Sequence, residues 1–350
     1  MKKILITGIN SYIGNSLERY LAAYQKDHKE AAHQEDRNEA AYQIDRISLR
    51  DDTWKQISFT GYDAIFHVAG IAHADVGKVS DEAKAMYYRI NCDLAEQAAS
   101  KAKAEGVKQF IYMSSVIVYG DSAPVGQRKY ITADTKPDPA NFYGDSKYQA
   151  ELKLQKLQTD DFRIAIIRAP MIYGKGSKGN FSLLVKLAAK APVFPDIQNE
   201  RSMLYMENLA EFIRRLTEAG SGGTFFPQNA EYVTTAEMVR LIGETLGRKV
   251  RLWKVLNPFV KLASNIPGKI GGMTNKAFGS LTVDKGLSSI EGNFEIIDRK
   301  LSNIEGNSEN IGRELSNIGE NPDIIDVGPG SGNITDYQIY SLEESIKRSI

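Results

Sequence analysis

The sequence has little of what several classes of protein require. One cysteine, Cys92, among 350 residues excludes an intrachain disulfide framework and a cysteine-rich metal site. The four histidines do not stand at metal-ligand spacings, so we expect no bound metal. The 44 basic residues are balanced by 44 acidic ones. At the level of the whole chain, the charge therefore indicates neither nucleic acid nor an anionic membrane as a partner.

Long apolar runs are also lacking. No segment approaches the roughly 20 apolar residues that a membrane-spanning helix needs. The short apolar run at residues 4–7 is too brief for the core of a signal peptide and fits a first strand better. We therefore expect a cytoplasmic protein without a membrane span. Its length and its hydrophobic content of 42% allow one large core or two closely joined ones.

Short apolar runs alternate with helical patterns through the first half of the chain. This alternation predicts an α/β fold with a Rossmann-type doubly wound parallel sheet, because parallel strands are covered by helices on both faces. The predicted strands are residues 4–7, 43–49, 64–69, 109–114 and 164–168, and the predicted helices are residues 12–24, 81–105 and 143–157.

A motif recurs every 14 residues near the C-terminus, beginning at Leu287, Leu301 and Leu315. Fourteen residues are two heptads, and most of the apolar residues fall on the a and d positions of a coiled coil. Glycines inside the repeats weigh against a stable helix, since each costs about 1 kcal/mol relative to alanine. An amphipathic helix and a disordered insert therefore both stay open.

A turn that contains glycine follows the first predicted strand. Gly8 and Gly14 frame the passage from that strand into the first helix. Glycine allows a tight turn and a close backbone approach to a ligand, and the helix N-terminus offers free N–H groups to a pyrophosphate. The turn therefore predicts a dinucleotide-binding site.

A second pattern pairs Tyr143 with Lys147 on a predicted helix. Residues four apart share one helix face, so we expect the ammonium group to lower the pKa of the tyrosine toward working pH. Such a tyrosine could remove the proton of an alcohol as a general base. Ser114 and Ser115 end the preceding strand. Ligands bind at the carboxyl ends of the strands in such folds. Only one of the two can point inward, because neighbouring strand residues face opposite ways.

Together these residues resemble the extended short-chain dehydrogenase/reductase family. The resemblance rests on the Gly8 to Gly14 turn, on residues 115–120 (SVIVYG) and on the Tyr143/Lys147 pair. Within this family the chain is most similar to nucleotide-sugar epimerases, dehydratases and 4-keto-sugar reductases. Further matching segments are residues 67–70, 91–95, 168–174 and 201–209, and the match covers about residues 1–285 and 336–350. Ser11 departs from the pattern, since the family usually has glycine there.

The resemblance implies roles for individual residues. Tyr143 would be the general base or acid, Lys147 would tune it and hold the nicotinamide ribose, and Ser115 would bond the reacting sugar oxygen, with Ser114 as the alternative. The residues implied to bind the cofactor are Gly8, Ser11, Tyr12, Ile13, Gly14, Arg50, Ala69, Gly70, Asn91, Tyr143, Lys147 and Pro170. Those implied to bind the substrate are Ser115, Asn180, Phe194 and Arg201, although Phe194 fits an ordinary core position nearly as well.

The same resemblance divides the chain into four parts. These are an NAD(P)-binding Rossmann domain at 1–170, a smaller substrate-binding lobe at 171–285 that is interleaved with the sheet, a repeat-bearing insert at 286–334 and a C-terminal helix at 335–350. The choice between NAD and NADP stays open. Arg50 and Ser48 favour the 2′-phosphate of NADP, whereas Asp51 favours NAD, and a tandem duplication at 30–47 disturbs the spacing between strand and ribose-binding residue.

The function that the resemblance implies is 4-epimerisation of a nucleotide sugar, most simply a UDP-sugar, by transient oxidation at C4. The alternative is an NAD(P)H-dependent reductase of a nucleotide 4-keto-6-deoxy sugar. A dehydratase fits less well, because its additional acid and base would stand at Val116 and Ile117, which cannot transfer protons. A non-catalytic NAD(P)-binding sensor or scaffold fits less well too, since Ser115, Tyr143 and Lys147 are all present. A homodimer is also implied by the resemblance.

Overall fold

A computed structural model describes residues 1–31, 41–71, 79–289 and 337–350. Its strands are β1 (Lys2–Thr7), β2 (Tyr42–Ile47), β3 (Ala64–His67), β4 (Gln109–Ser115), β5 (Tyr130–Ile131), β6 (Arg163–Ala169), β7 (Met171–Tyr173), β8 (Val193–Pro195), β9 (Met203–Tyr205), β10 (Gly223–Phe225), β11 (Arg251–Trp253) and β12 (Thr282–Val283). Its α-helices are α1 (Tyr12–Ala31), α2 (Asp81–Tyr87), α3 (Leu94–Ala104), α4 (Phe142–Gln155), α5 (Asn180–Lys190), α6 (Met206–Ala219), α7 (Thr235–Thr245), α8 (Asn257–Ser264), α9 (Lys269–Phe278) and α10 (Leu342–Ser349).

Six parallel strands form the central sheet in the order β10-β6-β4-β3-β1-β2. After β2 the chain crosses β1 to form β3, so the direction of winding reverses between β1 and β3. Side chains of β1 alternate between the two faces. Ile4 and Ile6 join the core with α1 and α6, and Leu5 joins the core with α3 and α4. The predicted Rossmann-type doubly wound sheet is confirmed, and β10 adds an edge strand that the sequence pattern missed.

The smaller lobe is built from segments on both sides of β10 in the chain, although β10 itself belongs to the central sheet. It contains the strand pairs β7–β9 and β8–β11, with α5 and α7 packed around a second core. Phe181, Phe194, Val239 and Ile242 are among its buried side chains. Helices α8 and α9 form a hairpin after this core. Among the described residues, no helix is both long and apolar enough to cross a membrane.

The predicted helix at 81–105 is interrupted by a π-helical turn, Tyr88–Asp93, between α2 and α3. The backbone carbonyl of Asn91, in this turn, accepts a hydrogen bond from the Tyr112 hydroxyl at 3.0 Å. Such turns occur often at functional sites. Here the turn places Asn91 at the centre of the candidate site described below.

Gln228 joins the two described segments that flank residues 290–336. Its side-chain amide donates to Ser288 Oγ at 2.8 Å, and its backbone carbonyl accepts from the Tyr337 hydroxyl at 2.8 Å. Leu287 and Tyr337 are both buried. The first leucine of the predicted repeat therefore belongs to the core beside Val116 and Val118. Residues 290–336, which hold nearly all of the predicted insert, lie outside the described residues, as do residues 32–40 of the duplication.

Candidate active site

The site begins where β1 and β3 end side by side. Gly8 has a backbone φ of +99°, and its N–H donates to the carbonyl of Ile47 at 2.9 Å. A Cβ at Gly8 would lie 3.0 Å from the backbone nitrogen of Ala69 and 3.1 Å from its Cα. Both the left-handed conformation and the close approach require glycine. The predicted residues Gly8 and Ala69 therefore meet at the point where the sheet reverses its winding, which is the ligand-binding edge of such folds.

Helix α1 begins directly after this turn. The Ser11 hydroxyl accepts a hydrogen bond from the N–H of Gly14 at 3.3 Å, so Ser11 caps the helix. A Cβ at Gly14 would lie 2.9 Å from Ile6 Cγ2, and glycine therefore lets α1 pack closely on β1. The N–H groups of Tyr12 and Ile13 have no acceptor within the helix and are suited to a pyrophosphate. A serine hydroxyl that accepts one bond can still donate another, so Ser11 is compatible with the same ligand.

Replacing Gly8 with alanine should weaken dinucleotide binding and lower stability. The new Cβ meets fixed backbone atoms of Ala69, and alanine disfavours the positive φ at a cost of about 1–3 kcal/mol. Gly61→Ala is the matched control, since Gly61 has a φ of +84° and nothing within 4 Å of an added Cβ. Fluorescence titration with NADH and NADPH, together with urea unfolding, measures both effects. Equal losses of binding in the two variants would contradict a special role for the Gly8–Ala69 approach.

Asn91 ties the segment after β3 to helix α4. Its Oδ1 accepts from the N–H of Ile71 at 2.8 Å, and its Nδ2 donates to the Ile71 carbonyl at 3.1 Å and to Ser146 Oγ at 3.0 Å. A Cβ at Gly70 would lie 2.9 Å from Asn91 Oδ1 and 3.3 Å from Lys147 Nζ. The structure thus brings together three of the predicted cofactor-binding residues, Gly70, Asn91 and Lys147.

His67, at the end of β3, is fully buried beneath these residues. Its Nδ1 lies 2.9 Å from Thr7 Oγ1, and its ring packs on Phe110 and Tyr112 with centroid distances of 5.5 and 5.9 Å. Burial and, second, the charge of Lys147 lower the pKa of His67 to about 3. His67 is therefore a neutral packing residue near pH 7.

This lowered pKa predicts a loss of stability in acid. Below about pH 6.5 the unfolded chain protonates this histidine, whereas the folded chain does not until about pH 3. The free energy of unfolding should therefore fall by about 2 kcal/mol from this group alone between about pH 7.5 and about pH 5. His67→Phe should remove that contribution, as measured by urea unfolding at both pH values. An unchanged acid dependence in the variant would contradict the assignment.

Tyr143 and Lys147 lie on the first turns of α4, which Asn141 caps by accepting from the N–H groups of Tyr143 and Gly144 at 3.1 and 3.0 Å. The expected effect of Lys147 on the tyrosine is not found. Burial and, second, the nearby Tyr87 raise the pKa of Tyr143 to about 12. The prediction of a lowered pKa is therefore wrong.

The Lys147 ammonium group contacts the backbone and a ring of β4. Its ammonium group donates to the Met113 carbonyl at 2.9 Å and lies 4.7 Å from the centre of the Tyr112 ring. Burial lowers the pKa of Lys147 to about 8, against an opposing influence of Glu151. Removal from water thus outweighs the favourable pairing with Glu151, and the bond to the Met113 carbonyl connects α4 to β4.

The two serines at the end of β4 face different surroundings. Ser115 is partly exposed, and its hydroxyl accepts from the N–H of Ile117 at 3.3 Å. Ser114 is buried and donates to a carboxylate oxygen of Glu151. Of the two alternatives, the geometry therefore favours Ser115 as the residue that faces a ligand. A Cβ at Gly144 would lie 2.8 Å from the Ile117 carbonyl, so the first turn of α4 sits directly against this strand end.

Sequence reasoning missed a buried ion pair behind these serines. Arg168 Nη2 donates to Glu151 Oε2 at 2.6 Å, and Arg168 Nη1 donates to the Tyr119 hydroxyl at 2.6 Å. Burial alone would lower the pKa of the Arg168 guanidinium, but Glu151 and Tyr119 outweigh it and the pKa is raised. The spacing could have placed Glu151 on the helix face of Lys147, four residues earlier, but it does not indicate Arg168 on β6 as the partner.

The predicted substrate residues lie on several elements. Arg201 Nη1 donates to the Lys276 carbonyl at 2.7 Å, which places its guanidinium at the C-terminal end of α9. Asn180 is exposed at the start of α5. Phe194 is buried, and its ring centroid lies 5.6 Å from that of Phe278, which favours the core position over stacking on a base.

Two further residues that were predicted to bind the cofactor lie close to the ends of strands. Arg50 is exposed just after β2, and Pro170 is buried between β6 and β7. The Asp51 carboxylate accepts from the N–H of Thr53 at 3.0 Å and is thus engaged in capping the next turn. The ring of Phe194 contacts that of Phe278, whereas the ring of Tyr143 contacts that of Tyr87.

The reversal of winding, the glycine turn onto α1 and the Tyr/Lys pair at one sheet edge define a dinucleotide-dependent α/β enzyme. The chain belongs to the NAD dependent epimerase/dehydratase family, whose model matches residues 4–226. It is 29% identical over 293 residues to a UDP-glucose 4-epimerase of Vibrio cholerae, with 81% of this chain and 87% of that protein covered.

Two further similarities extend this comparison. Over 172 residues the chain is 31% identical to an N-acetyl-alpha-D-glucosaminyl-diphospho-ditrans,octacis-undecaprenol 4-epimerase of Escherichia coli, covering 47% of this chain and 49% of that protein. The fold resembles a dTDP-4-dehydrorhamnose reductase of Bacillus anthracis solved with NADP, with a TM-score of 0.54 and 23% identity. That similarity covers 72% of this chain and 83% of the other, and it shows the fold alone.

Proposed function

We propose that this chain is a 4-epimerase of sugars linked to a diphosphate, acting by transient oxidation at C4 with a bound nicotinamide cofactor. The observation that carries the proposal is the position of Ser115, Tyr143 and Lys147 at the same sheet edge as the Gly8 turn. The similarity to a UDP-glucose 4-epimerase along most of both chains supports the same reaction.

The cofactor would be held by the elements already described. The N-terminal turn of α1 suits its pyrophosphate, Gly8 and Gly70 leave room for close backbone approach, and Lys147 would bond its ribose. The bound nicotinamide supplies the hydride acceptor and, when oxidised, a positively charged ring. The protein supplies position and charge.

Proton transfer is assigned to Tyr143. Its phenolate would take the proton of the C4 hydroxyl as the C4 hydride leaves for the cofactor, and it would return that proton when C4 is reduced again. The Ser115 hydroxyl would bond the same sugar oxygen. Because burial raises the pKa of Tyr143 to about 12, the free protein holds it as a neutral phenol. A positive charge brought close to the phenol on ligand binding would lower that pKa. Lys147, whose pKa is lowered to about 8, would contribute less of that charge as pH rises above that value.

Arg201 is proposed to bind the substrate diphosphate, since a guanidinium group donates two bonds to phosphate oxygens. Burial lowers the pKa of Arg201. The carrier beyond the diphosphate is either a nucleotide, with UDP first, or a polyprenyl lipid, as in the name of the Escherichia coli relative. A homodimer is part of the same proposal.

The deciding experiment incubates the purified protein with UDP-glucose, UDP-galactose and their N-acetyl forms, and with N-acetylglucosaminyl diphosphate on a polyprenyl carrier. No reductant is added, and the configuration at C4 is followed by NMR. Equilibration of any pair of epimers supports the proposal and identifies the carrier. Absence of epimerisation with all of them would refute it.

A reductase is the second candidate, and one observation favours it. Arg50 is exposed at the end of β2, while the carboxylate of Asp51 is engaged with Thr53, an arrangement suited to the 2′-phosphate of NADPH. If no substrate is epimerised, a nucleotide 4-keto-6-deoxy sugar offered with NADPH and with NADH tests this candidate by oxidation of the reduced cofactor.

A further inference from the structure

The hairpin of α8 and α9 exposes its apolar side rather than burying it. Val255, Phe259, Leu262, Ile266, Ile270 and Met273, here called the hairpin face, are each between 41% and 67% exposed. Phe259 and Leu262 lie three residues apart on α8, and Ile270 and Met273 lie three residues apart on α9, so each pair shares one side of its helix. Val255 precedes α8, and Ile266 lies between the two helices. An amphipathic helix normally buries this side in the core. Exposed apolar residues that cluster in this way mark an interaction surface.

The charged residues of the hairpin segment itself have one sign. Although the whole chain is neutral, residues 245–283 contain no aspartate or glutamate. The same stretch contains Arg248, Lys249, Arg251, Lys254, Lys261, Lys269 and Lys276. Lys254, Lys261, Lys269 and Lys276 are exposed beside the hairpin face. An apolar stripe flanked by lysines complements a bilayer surface that carries anionic lipids.

The hairpin is firmly attached to the rest of the lobe. Asn275 Nδ2 donates to the Ser264 carbonyl at 3.1 Å, which joins α9 to the end of α8. The Asn275 side chain also accepts from the N–H of Val125 at 3.0 Å, and Asn257 Nδ2 donates to the Asp196 carbonyl at 2.8 Å. These bonds hold the hairpin with its apolar side turned away from the core.

We propose that the hairpin face docks this protein onto an anionic phospholipid bilayer, with the apolar side chains in the interfacial region and the lysines on lipid phosphates. Docking would place the bilayer beside the C-terminal end of α9. The Lys276 carbonyl there accepts from Arg201, the proposed diphosphate-binding residue. The site would then lie within reach of a sugar diphosphate carried by a lipid. The docking itself goes beyond the proposed function and does not depend on it.

The test is sedimentation of the full chain with vesicles, without substrate, so that its outcome is separate from that of the epimerase assay. The protein should sediment with vesicles of phosphatidylglycerol and phosphatidylcholine. A much smaller fraction should sediment with vesicles of phosphatidylcholine alone. Phe259→Ser combined with Ile270→Ser should weaken partitioning by about ten-fold or more. The matched control is Ile57→Ser with Ile339→Ser, which removes two apolar side chains of 41% and 39% exposure elsewhere.

The charge contribution is tested in the same assay. Lys254→Gln with Lys261→Gln should weaken binding to anionic vesicles by about five-fold for each lysine. Lys108→Gln with Lys156→Gln, two exposed lysines away from the hairpin, should leave it unchanged. Circular dichroism and thermal melting verify that the variants are folded.

Three outcomes would overturn the proposal. The first is a protein that stays in solution with both vesicle types. The second is equal binding by the hairpin variants and their controls. The third is a protein whose self-association, measured by analytical ultracentrifugation, is lost in the Phe259/Ile270 variant while vesicle binding is absent in all forms. That result would assign the hairpin face to a second copy of the chain.

Discussion

Tyr143→Phe should reduce turnover by about 10²–10⁴-fold while leaving cofactor binding nearly unchanged. The substitution removes one hydroxyl from the first turn of α4 and keeps the ring that meets Tyr87 edge-on at 6.2 Å. Since Asn141 caps the helix through backbone N–H groups, the local fold does not depend on the hydroxyl. Steady-state kinetics on whichever substrate is found, with fluorescence titration of the cofactor, measures both quantities.

Tyr88→Phe is the matched control for this prediction. Its hydroxyl bonds the Asp145 carboxylate near the same helix, outside the proposed reaction path. Turnover of the control should stay within a few-fold of the wild type. Equal losses in the two variants would assign the effect at Tyr143 to packing rather than to proton transfer.

The raised pKa of Tyr143 makes the same residue visible by spectroscopy. If ligand binding lowers the pKa of this phenol, oxidised cofactor added at mildly alkaline pH should produce a tyrosinate signal in the ultraviolet difference spectrum. The signal should be absent in Tyr143→Phe and present in Tyr88→Phe. A signal that persists in Tyr143→Phe would show that another tyrosine is responsible.

Arg168→Met should lower the free energy of unfolding by about 3–5 kcal/mol. It leaves the carboxylate of Glu151, which is fully buried, without its cationic partner. The guanidinium also lies 5.1 Å from the centre of the Tyr119 ring and 5.8 Å from that of Phe226, so packing is lost as well. Urea unfolding of the full chain measures the loss.

A double-mutant cycle separates the ion pair from the packing. Glu151→Gln combined with Arg168→Met removes both charges, and it should cost less than the sum of the two single changes because no unpaired buried charge remains. Arg240→Met, at a partly exposed pair with Glu237, is the control and should cost at most about 1 kcal/mol. Strict additivity in the cycle would contradict the interpretation.

The central sheet could be predicted because its strands are short apolar runs bounded by helices, and β1, β3, β4 and β6 were found within a few residues of their expected bounds. β10 was missed, since three residues with a glycine at one end, Gly223–Phe225, give no periodic pattern. The break in the helix at 81–105 was also missed. The π turn is accompanied by a tertiary contact between Asn91 and Tyr112, and this contact cannot be inferred from the sequence pattern.

The shared helix face of Tyr143 and Lys147 could be predicted from the sequence, but their pKa values could not. Helix spacing correctly placed Tyr143 and Lys147 on one face of α4. Their pKa values depend on how much water the surrounding chain excludes. The residues that exclude it, Met113, Tyr112 and Tyr87, are distant from α4 in the sequence. The same limit explains Phe194, whose burial against Phe278 follows from the packing of the smaller lobe.

The bonds that Gln228 makes to Ser288 and Tyr337 affect how easily insertions could lengthen this chain during evolution. The side chain of Gln228 binds the residue near one border of residues 290–336, and its backbone binds the residue at the other, so both borders are held at the same point of the fold. Lengthening a connection whose ends are already fixed costs only about 0.6 kcal/mol for each doubling. Repeated duplication could therefore accumulate there almost without selection against it. The chain could also be divided into two pieces at this location. A separate peptide carrying Tyr337 and α10 should then bind the remaining chain and complete its fold.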